Sequence, residues 1–211
     1  MAKKYYAIRC GKTTGIYNTW GECKRLVTGV SGAEYKGFET LEEAQTYMSG
    51  AVSAVVESED IGNDRYVHSS DKLGNNNIIA YVDGSYNVAT KEFSYGMVIL
   101  HEGKELHFSE KVDMPELGEM RNVAGEIKGA EAAMRYAVEH KCEKVAIYHD
   151  YEGVAKWCTG AWQAKKEGTR AYKTYFDSVK DKVCIEFVKV KAHSNIKYNE
   201  MADQLAKKAI F

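Results

Sequence analysis

Two aspartates that follow apolar runs are the first candidates for chemistry in this sequence. Asp83 follows the run 78–82 and precedes Gly84, at a position where a charge is costly unless something compensates it. Asp150 follows a second buried-strand pattern, residues 145–149. Aspartate is also a common turn former, so the ordinary alternative is that each residue caps a turn at the end of a strand.

Two further acids lie in helical patterns. Glu126 is near the start of the Ala-rich pattern 122–139, among small residues that would let a neighbouring element approach closely. Asp203 is at the edge of the apolar stripe of the pattern 199–210. The ordinary alternatives are a partner for the helix dipole in the case of Glu126 and a solvated surface charge in the case of Asp203.

The chemistry of these four acids depends on whether the fold brings them together. Like charges a few ångströms apart raise each other's pKa, so converging carboxylates cannot all ionise without a counterion. Divalent cations supply that charge, and hard oxygen ligands favour Mg²⁺, with Mn²⁺ as a substitute. Convergence would therefore predict a magnesium site.

The elements predicted from residue 78 onward could produce that convergence. Their order is strand, strand, strand, helix, strand, helix, helix, strand, helix, which gives an α/β sheet with helices on its faces. Ligands collect at the ends of neighbouring strands in such sheets, so we expect Asp83 and Asp150 to lie close together. Strands are predicted at 94–100, 104–110, 144–149 and 183–190, and helices at 122–139, 171–179 and 199–210.

The first fifty residues predict a small separate module with the order ββαβα. A strand at 4–9 is followed by a turn and a short second strand, and Thr19 is placed to cap the first helix. A third strand is predicted at 34–38. The spacing of Thr40 and Glu43 is that of a capping box, which indicates the start of a second helix.

Residues 50–77 separate these two regions and lack periodicity. They contain five acidic and two basic residues among many Ser, Asn and Gly, a composition typical of a flexible, solvated linker. We therefore expect a module at 1–49, a linker at 50–77 and a larger domain at 78–211. A mobile tether would raise the effective concentration of a second binding site for one substrate.

Composition and charge place the chain among ordinary globular proteins. Of 211 residues, 45% are hydrophobic and 28% are charged. A net charge of −1 provides no basic field, so a polyanionic partner must be bound by local patches. No apolar run approaches the length of a bilayer span, and the N-terminus lacks the apolar core of a signal peptide. The five cysteines form no C-x-x-C pair, which favours a reducing cytoplasm over a disulfide framework or a zinc site.

Motifs along the first module are Tyr6-Ala7-Ile8-Arg9, Gly15-Ile16-Tyr17, Thr19-Trp20, Glu22-Cys23 and Tyr35-Lys36-Gly37-Phe38. Together they resemble the hybrid-binding domain at the N-terminus of many type 1 ribonucleases H, which caulimovirus inclusion-body proteins also contain. The resemblance implies that Trp20 and Tyr35 contact the DNA strand and that Lys36 contacts a phosphate, as suits aromatic faces and a lysine. The alternative is that the two aromatics form the core of a tiny domain.

Motifs along residues 78–211 are Tyr81-Val82-Asp83-Gly84-Ser85, Gly125-Glu126, Tyr148-His149-Asp150, Val190-Lys191-Ala192-His193-Ser194 and Asn199-Glu200-Met201-Ala202-Asp203-Gln204-Leu205-Ala206. In order and approximate spacing they resemble the type 1 ribonuclease H catalytic domain. The resemblance implies an α/β fold, a ribonuclease H-like mixed five-stranded sheet with flanking helices, preceded by the small α/β hybrid-binding module.

The same resemblance implies an endonuclease that hydrolyses the RNA strand of RNA–DNA hybrids. Two Mg²⁺ ions roughly 3.5–4 Å apart would straddle the scissile phosphate and give 5′-phosphate and 3′-hydroxyl products. Asp83 would bridge both ions, and the other three acids would complete their coordination shells. His193 would shuttle protons or help product release, since imidazole titrates near neutrality. Its ordinary alternative is an exposed loop histidine.

Selectivity for RNA requires contacts to 2′-hydroxyl groups, and Gly84, Ser85 and Asn122 are placed to provide them. Many relatives have a Ser-Gln pair after the third acid, whereas this chain has Tyr151-Glu152. Glu152 therefore either reads the minor groove or is simply solvated, and Trp157 either faces DNA or belongs to the core. Expected partners are RNA–DNA hybrids and, for the N-terminal module, double-stranded RNA. No membrane and no obligate protein partner are expected.

Two other function classes stay open from the sequence. One is a catalytically silent binder of RNA–DNA hybrids or double-stranded RNA, which the complete set of acids disfavours. The other is a nuclease of the same fold that acts on DNA. Cleavage compared on hybrid, duplex DNA and single strands would separate these classes.

Overall fold

The computed structural model describes residues 5–30, 33–48, 76–191 and 196–211. The chain divides into two compact units, Met1–Gly62 and Asn63–Phe211. The predicted linker at 50–77 falls almost entirely outside the described residues. Within the described ranges, each helix is too short or too polar to cross a bilayer.

The first unit has the predicted order ββαβα. Its antiparallel sheet has the strand order β2-β1-β3. Thr19 caps α1 by accepting a hydrogen bond from the Glu22 backbone N–H at 3.3 Å. Thr40 and Glu43 form the predicted capping box, with both side chain-to-backbone bonds at 3.2 Å. The elements are β1 (Tyr5–Cys10), β2 (Gly15–Tyr17), α1 (Trp20–Val27), β3 (Glu34–Phe38) and α2 (Leu41–Met48).

The core of this unit does not include its two prominent aromatics. Ile8, Cys23 and Val27 form the buried cluster. Trp20 is 42% exposed and Tyr35 is 43% exposed, with their ring centroids 5.6 Å apart. The alternative that these rings fill the core is therefore wrong, and their faces lie at the surface.

The second unit contains a mixed five-stranded sheet with the strand order β6-β5-β4-β7-β8. Strands β4, β5 and β6 are antiparallel neighbours, whereas β7 pairs in parallel with both β4 and β8. The strands are β4 (Asn77–Tyr86), β5 (Phe93–His101), β6 (Lys104–Val112), β7 (Lys144–His149) and β8 (Cys184–Lys189). The helices are α3 (Asn122–Glu139), α4 (Gly153–Thr159), α5 (Glu167–Val179) and α6 (Lys197–Lys208), with a 3₁₀ helix at Pro115–Met120.

Helices cover both faces of this sheet. Alternate side chains of β4 point to opposite faces, as the two-residue repeat of a strand requires. Val82 packs in the larger core with Ile127 of α3 and Tyr172 of α5. Tyr81 packs in the smaller core with Tyr198 and Ala202 of α6. The central strand is therefore held between α3 on one side and α6 on the other.

For Asp83, the alternative that it caps a turn at the end of its strand is wrong. Strand β4 continues through Asp83 to Tyr86, and Asp83 pairs with Gly96 of β5. The parallel pairing of β4 with β7, however, ends at Tyr81. Asp83 therefore lies beyond the end of the parallel ladder on one side while the antiparallel ladder holds it on the other.

Candidate metal centre

Three of the four predicted acids converge. Asp83 of β4, Glu126 of α3 and Asp150 at the end of β7 each offer a carboxylate oxygen, and these oxygens all lie within 4.8 Å of one another. Glu126 is only 2% exposed, whereas Asp150 is partly exposed. The acids come from three separate elements, so the arrangement is a product of the tertiary fold.

Two glycines allow α3 to lie directly on the sheet at this point. A Cβ atom on Gly84 would be 2.5 Å from the backbone nitrogen of Glu126. A Cβ atom on Gly125 would be 2.8 Å from the Gly84 Cα. Real Cβ atoms essentially never come this close to backbone, so larger residues would push the helix away. These glycines therefore bring Glu126 beside Asp83.

A third glycine positions the helix that carries Asp203. Gly96 is the β5 residue opposite Asp83, and a Cβ atom there would be 2.5 Å from the Ala206 nitrogen of α6. Asp203 lies near enough to raise the pKa of Asp83, but it is outside the group of three. Its carboxylate instead accepts a hydrogen bond from Lys207 at 2.7 Å. The structure thus places Asp203 at the border of the cluster.

We expect Gly96→Ala to lower the free energy of unfolding by about 1–3 kcal/mol, because the added methyl group overpacks the contact between β5 and α6. Thermal and denaturant unfolding would measure this loss. Gly118→Ala is the matched control, since a Cβ at Gly118 meets nothing within 4 Å. Equal stability of the two variants would contradict the close approach of α6.

Burial and mutual repulsion make these carboxyl groups hard to ionise. Burial, followed by the charge of Asp150, raises the pKa of Asp83 from 3.8 to about 7, against the hydrogen bond that the Gly84 N–H donates to Asp83 at 2.7 Å. Burial, followed by the charges of Asp150 and Asp83, raises the pKa of Glu126 from 4.5 to about 9. The backbone N–H of Tyr151 interacts with Glu126 and favours its charged form, but less strongly.

The donor set suits a hard divalent cation. Glu126 Oε2 is buried and has no hydrogen-bond partner within the described part of the chain. Lys207 favours the charged form of Asp83, but its influence is the weakest of the causes and its ammonium is bound to Asp203. Carboxylate oxygens that lack a cationic partner are the ligands that Mg²⁺ and Mn²⁺ take in proteins.

Two of the residues predicted to contact 2′-hydroxyl groups, Gly84 and Asn122, lie beside this cluster. Asn122 donates a long hydrogen bond of 3.5 Å to Glu126 Oε1. Gly84 packs on the first turn of α3, and Ser85 is 8% exposed. His193 lies outside the described residues, so its predicted role in proton transfer stays a prediction.

Glu152 is partly exposed and is bound by two lysines. It pairs with Lys156 one turn later in α4 and with Lys189 at 2.9 Å, at the end of β8. These hydrogen bonds lower the pKa of Glu152 to about 2. Glu152 thus links α4 to the neighbouring strand, and its predicted contact with the minor groove stays a prediction.

An aromatic cluster follows Asp150 along α4. Trp157 is partly buried against the main core and lies 5.8 Å, between ring centroids, from both Tyr151 and Trp162. Trp162 is 37% exposed, and the Lys156 ammonium lies 4.9 Å from the centroid of its ring. Trp157 is therefore at least in part a core residue, while Trp162 presents an aromatic surface.

His149 is a residue of the site that the sequence analysis left without a role. It directly precedes Asp150, is 1% exposed, and its Nδ1 lies 2.9 Å from the carbonyl oxygen of Tyr151. Burial lowers the pKa of His149 to about 4, so the ring is neutral near pH 7. The available signal was a polar ring in a strand of otherwise apolar residues, next to a candidate ligand.

Comparison with known proteins divides the chain at similar positions. Residues 4–48 match the family model for the ribonuclease H1 N-terminal domain, and residues 75–211 match the model for RNase H. A Saccharomyces cerevisiae ribonuclease H is 52% identical over 44 residues, which cover 21% of this chain and 13% of that protein. The chain therefore spans about an eighth of that relative. Human ribonuclease H1 is 23% identical over 255 residues, which cover 96% of this chain and 88% of that protein.

A solved structure has the fold of the second unit. The crystal structure of LC11-RNase H1 in complex with an RNA/DNA hybrid superimposes with a TM-score of 0.51 at 20% sequence identity, covering 64% of this chain and 99% of that one. The predicted fold class, a mixed five-stranded sheet with flanking helices after a small α/β module, is confirmed.

Proposed function

The chain belongs to the ribonuclease H family, and we propose that it is an endonuclease that hydrolyses the RNA strand of RNA–DNA hybrids. The observation that carries this proposal is the meeting of Asp83, Glu126 and Asp150 within 4.8 Å, with one buried carboxylate oxygen that has no hydrogen-bond partner among the described residues. The relative solved with an RNA/DNA hybrid supports the choice of substrate.

We propose that this cluster holds Mg²⁺, with Mn²⁺ as a substitute. Asp83, Glu126 and Asp150 would hold the cations, and Asp203 would complete the set from α6. Bound there, such cations would supply an activated water and stabilise the leaving 3′ oxygen, and the proposed products are a 5′-phosphate and a 3′-hydroxyl. The proposed cytoplasmic location rests on the sequence alone, in which five cysteines form no C-x-x-C pair.

The protein's backbone holds the acidic side chains in place, and neighbouring polar groups would contact the substrate. The fixed backbone of β4 and the first turn of α3 hold Asp83 and Glu126 in place before a substrate binds, which reduces the cost of ordering the site. Asn122 and the Gly84-Ser85 backbone would contact 2′-hydroxyl groups beside the scissile phosphate, with Glu152 as a more distant candidate. His193 would exchange protons with solvent or assist product release.

We propose that the first unit binds the same substrate, or double-stranded RNA, through its exposed aromatics. Trp20 and Tyr35 present neighbouring rings at the surface, and Lys36 follows directly along β3. Aromatic faces bind nucleic acid with little sequence preference, and a lysine releases counterions from phosphate. The module would then hold the substrate while the second unit cuts it.

Trp20→Ala should weaken binding of an RNA–DNA hybrid by about 5- to 160-fold, since an aromatic contact with nucleic acid contributes about 1–3 kcal/mol. Fluorescence anisotropy with a labelled hybrid, in EDTA to prevent cleavage, measures the Kd. Leu41→Ala is the matched control, because Leu41 is 44% exposed in the same unit but is not part of the aromatic pair. A loss as large for Leu41→Ala would show that the aromatic face is not the binding surface.

The proposed activity is tested on a hybrid labelled on its RNA strand. The chain with Mg²⁺ should cut the RNA internally, leave the DNA strand intact, and stop when EDTA is added. Duplex DNA and both single strands serve as parallel substrates. Stable binding without any cleavage would favour a silent hybrid binder instead, and cleavage of duplex DNA would favour a DNA nuclease of the same fold.

A further inference from the structure

His149 holds the segment that carries one of the cluster's acids. Its ring is buried, and a neutral imidazole has one N–H donor and one acceptor nitrogen. Since Nδ1 faces a carbonyl oxygen at 2.9 Å, Nδ1 carries the proton and donates to Tyr151. The other nitrogen, Nε2, is buried and has no hydrogen-bond partner within the described ranges. In the part of the chain that the structure describes, the ring therefore makes one hydrogen bond, and that bond reaches from His149 across Asp150 to Tyr151.

Tyr151 links this hydrogen bond to Glu126. Its carbonyl oxygen accepts from His149 and also from the Val154 N–H at 3.1 Å, in the first turn of α4. Its own N–H lies near enough to the Glu126 carboxylate to lower the pKa of that group. A change in the orientation of this residue would therefore move both the backbone that follows Asp150 and the N–H that faces Glu126.

The histidine itself is fixed by β8. The Val190 N–H donates to the His149 carbonyl oxygen at 2.8 Å, and the Phe187 ring meets the imidazole edge-on with centroids 6.0 Å apart. Backbone and ring are thus both held, which gives the Nδ1–H a defined direction.

We propose that His149 is a positioning residue of the metal centre, and that its Nδ1–H fixes Tyr151 so that Asp150 and Glu126 are held in the geometry that binds the cation. This inference rests on the proposed function, since it concerns the same cluster. Groups that orient metal ligands typically contribute about 10- to 100-fold to metal affinity. His149 is expected to touch neither the cation nor the substrate.

Two amide substitutions separate the roles of the ring nitrogens. The amide nitrogen of His149→Asn lies near the position of Nδ1 and can still donate to Tyr151. In His149→Gln the amide nitrogen lies near the position of Nε2 and cannot make that bond. His149→Phe keeps the shape and removes both polar atoms. All three are compared with the parent chain by thermal unfolding in EDTA and by calorimetric titration with Mn²⁺ alone, without nucleic acid.

We expect His149→Gln and His149→Phe to weaken Mn²⁺ binding by about 10- to 100-fold and His149→Asn to stay within about threefold of the parent. The Mg²⁺ concentration for half-maximal cleavage should shift by a similar factor, with KM for the hybrid little changed. Unchanged Mn²⁺ affinity in His149→Gln, or an equal loss in His149→Asn, would overturn the proposal. If only His149→Asn folds, the hydrogen bond serves the fold rather than the site, and the proposal also fails.

These outcomes are separate from the failure of the proposed function. A parent chain that binds Mn²⁺ but does not cut the hybrid refutes the activity, while the comparison of the amide variants still decides the role of His149. A parent chain that cuts the hybrid while all three variants bind Mn²⁺ equally refutes only this inference.

Discussion

Asp83→Asn is expected to lower cleavage of the hybrid by about 1000-fold or more and, in the absence of metal, to make the protein more stable. The loss of activity follows because Asp83 is one of the three acids that meet within 4.8 Å and would hold both cations. An amide keeps the size of the side chain and the hydrogen bond from Gly84, but it carries no charge.

The gain in stability has a separate cause. Burial and the charge of Asp150 raise the pKa of Asp83 from 3.8 to about 7, so the folded chain loses stability as the pH rises from about 4 to about 7 and bears the full cost of the ionised group above that. Each pKa unit corresponds to about 1.4 kcal/mol, and removing the charge should recover about 1–3 kcal/mol at pH 8 in EDTA. Urea denaturation measures this gain, and labelled hybrid measures the loss of cleavage.

Asp181→Asn is the matched control for Asp83→Asn. Asp181 is exposed in the turn after α5, away from the cluster. Its substitution should change neither cleavage nor stability appreciably. An Asp83→Asn variant that retains a tenth or more of the parent's activity would remove Asp83 from the proposed mechanism. A variant that loses activity together with stability would indicate a folding defect instead.

The second large effect is a fall in the stability of the metal-free protein as the pH rises. The folded-state pKa values of Asp83 and Glu126 are raised to about 7 and about 9, whereas the unfolded chain titrates near 3.8 and 4.5. Between about pH 4 and 9 the folded state therefore binds more protons than the unfolded state, and stability falls as the pH rises. The stability that these two groups contribute is fully present below about pH 4. It is lost as the pH rises through their folded-state pKa values. We expect a fall on the order of 3–5 kcal/mol between pH 5 and 9 in EDTA.

Two experiments test whether the crowded carboxylates cause this fall in stability: the substitution Glu126→Gln and the addition of Mg²⁺. Glu126→Gln should flatten the fall in stability above pH 7, since the group with the larger shift no longer ionises. Mg²⁺ at 100 times its Kd should raise the free energy of unfolding of the parent by about 2.7 kcal/mol, and much less in the variant. A parent whose stability in EDTA is independent of pH from 5 to 9 would contradict the crowding of these carboxylates.

The sequence predicted most of the elements because their signals are local. Helix α3 and strands β3 and β7 have the predicted bounds, and both helices of the first unit begin beside the predicted caps. Helix α5 begins at Glu167, four residues before the predicted start at 171, because its N-terminal turn is polar and carries little periodicity. A few neighbouring residues are enough to determine where such a helix or strand begins and ends.

The sequence-based predictions failed where contacts between residues far apart in the chain determine the structure. Gly84 is a turn former in isolation, but the register of β4 with β5 keeps it in a strand, and its missing side chain serves the contact with α3. Gly96 carries no local signal for its role under α6. The bond from His149 to Tyr151 depends on how α4 leaves the sheet. None of these contacts can be deduced from residue type and spacing alone.

The docking of α6 on the central strands has a consequence for synthesis on the ribosome. Asp83 leaves the ribosome 120 residues before Asp203, which at 5–20 residues per second corresponds to roughly 6–24 s of translation. Until α6 follows, the sheet face of Tyr81 and Val98 lacks its cover and the proposed fourth ligand is missing. A growing chain is therefore expected to lack the complete set of four acids until the segment Lys197–Lys208 has been synthesised.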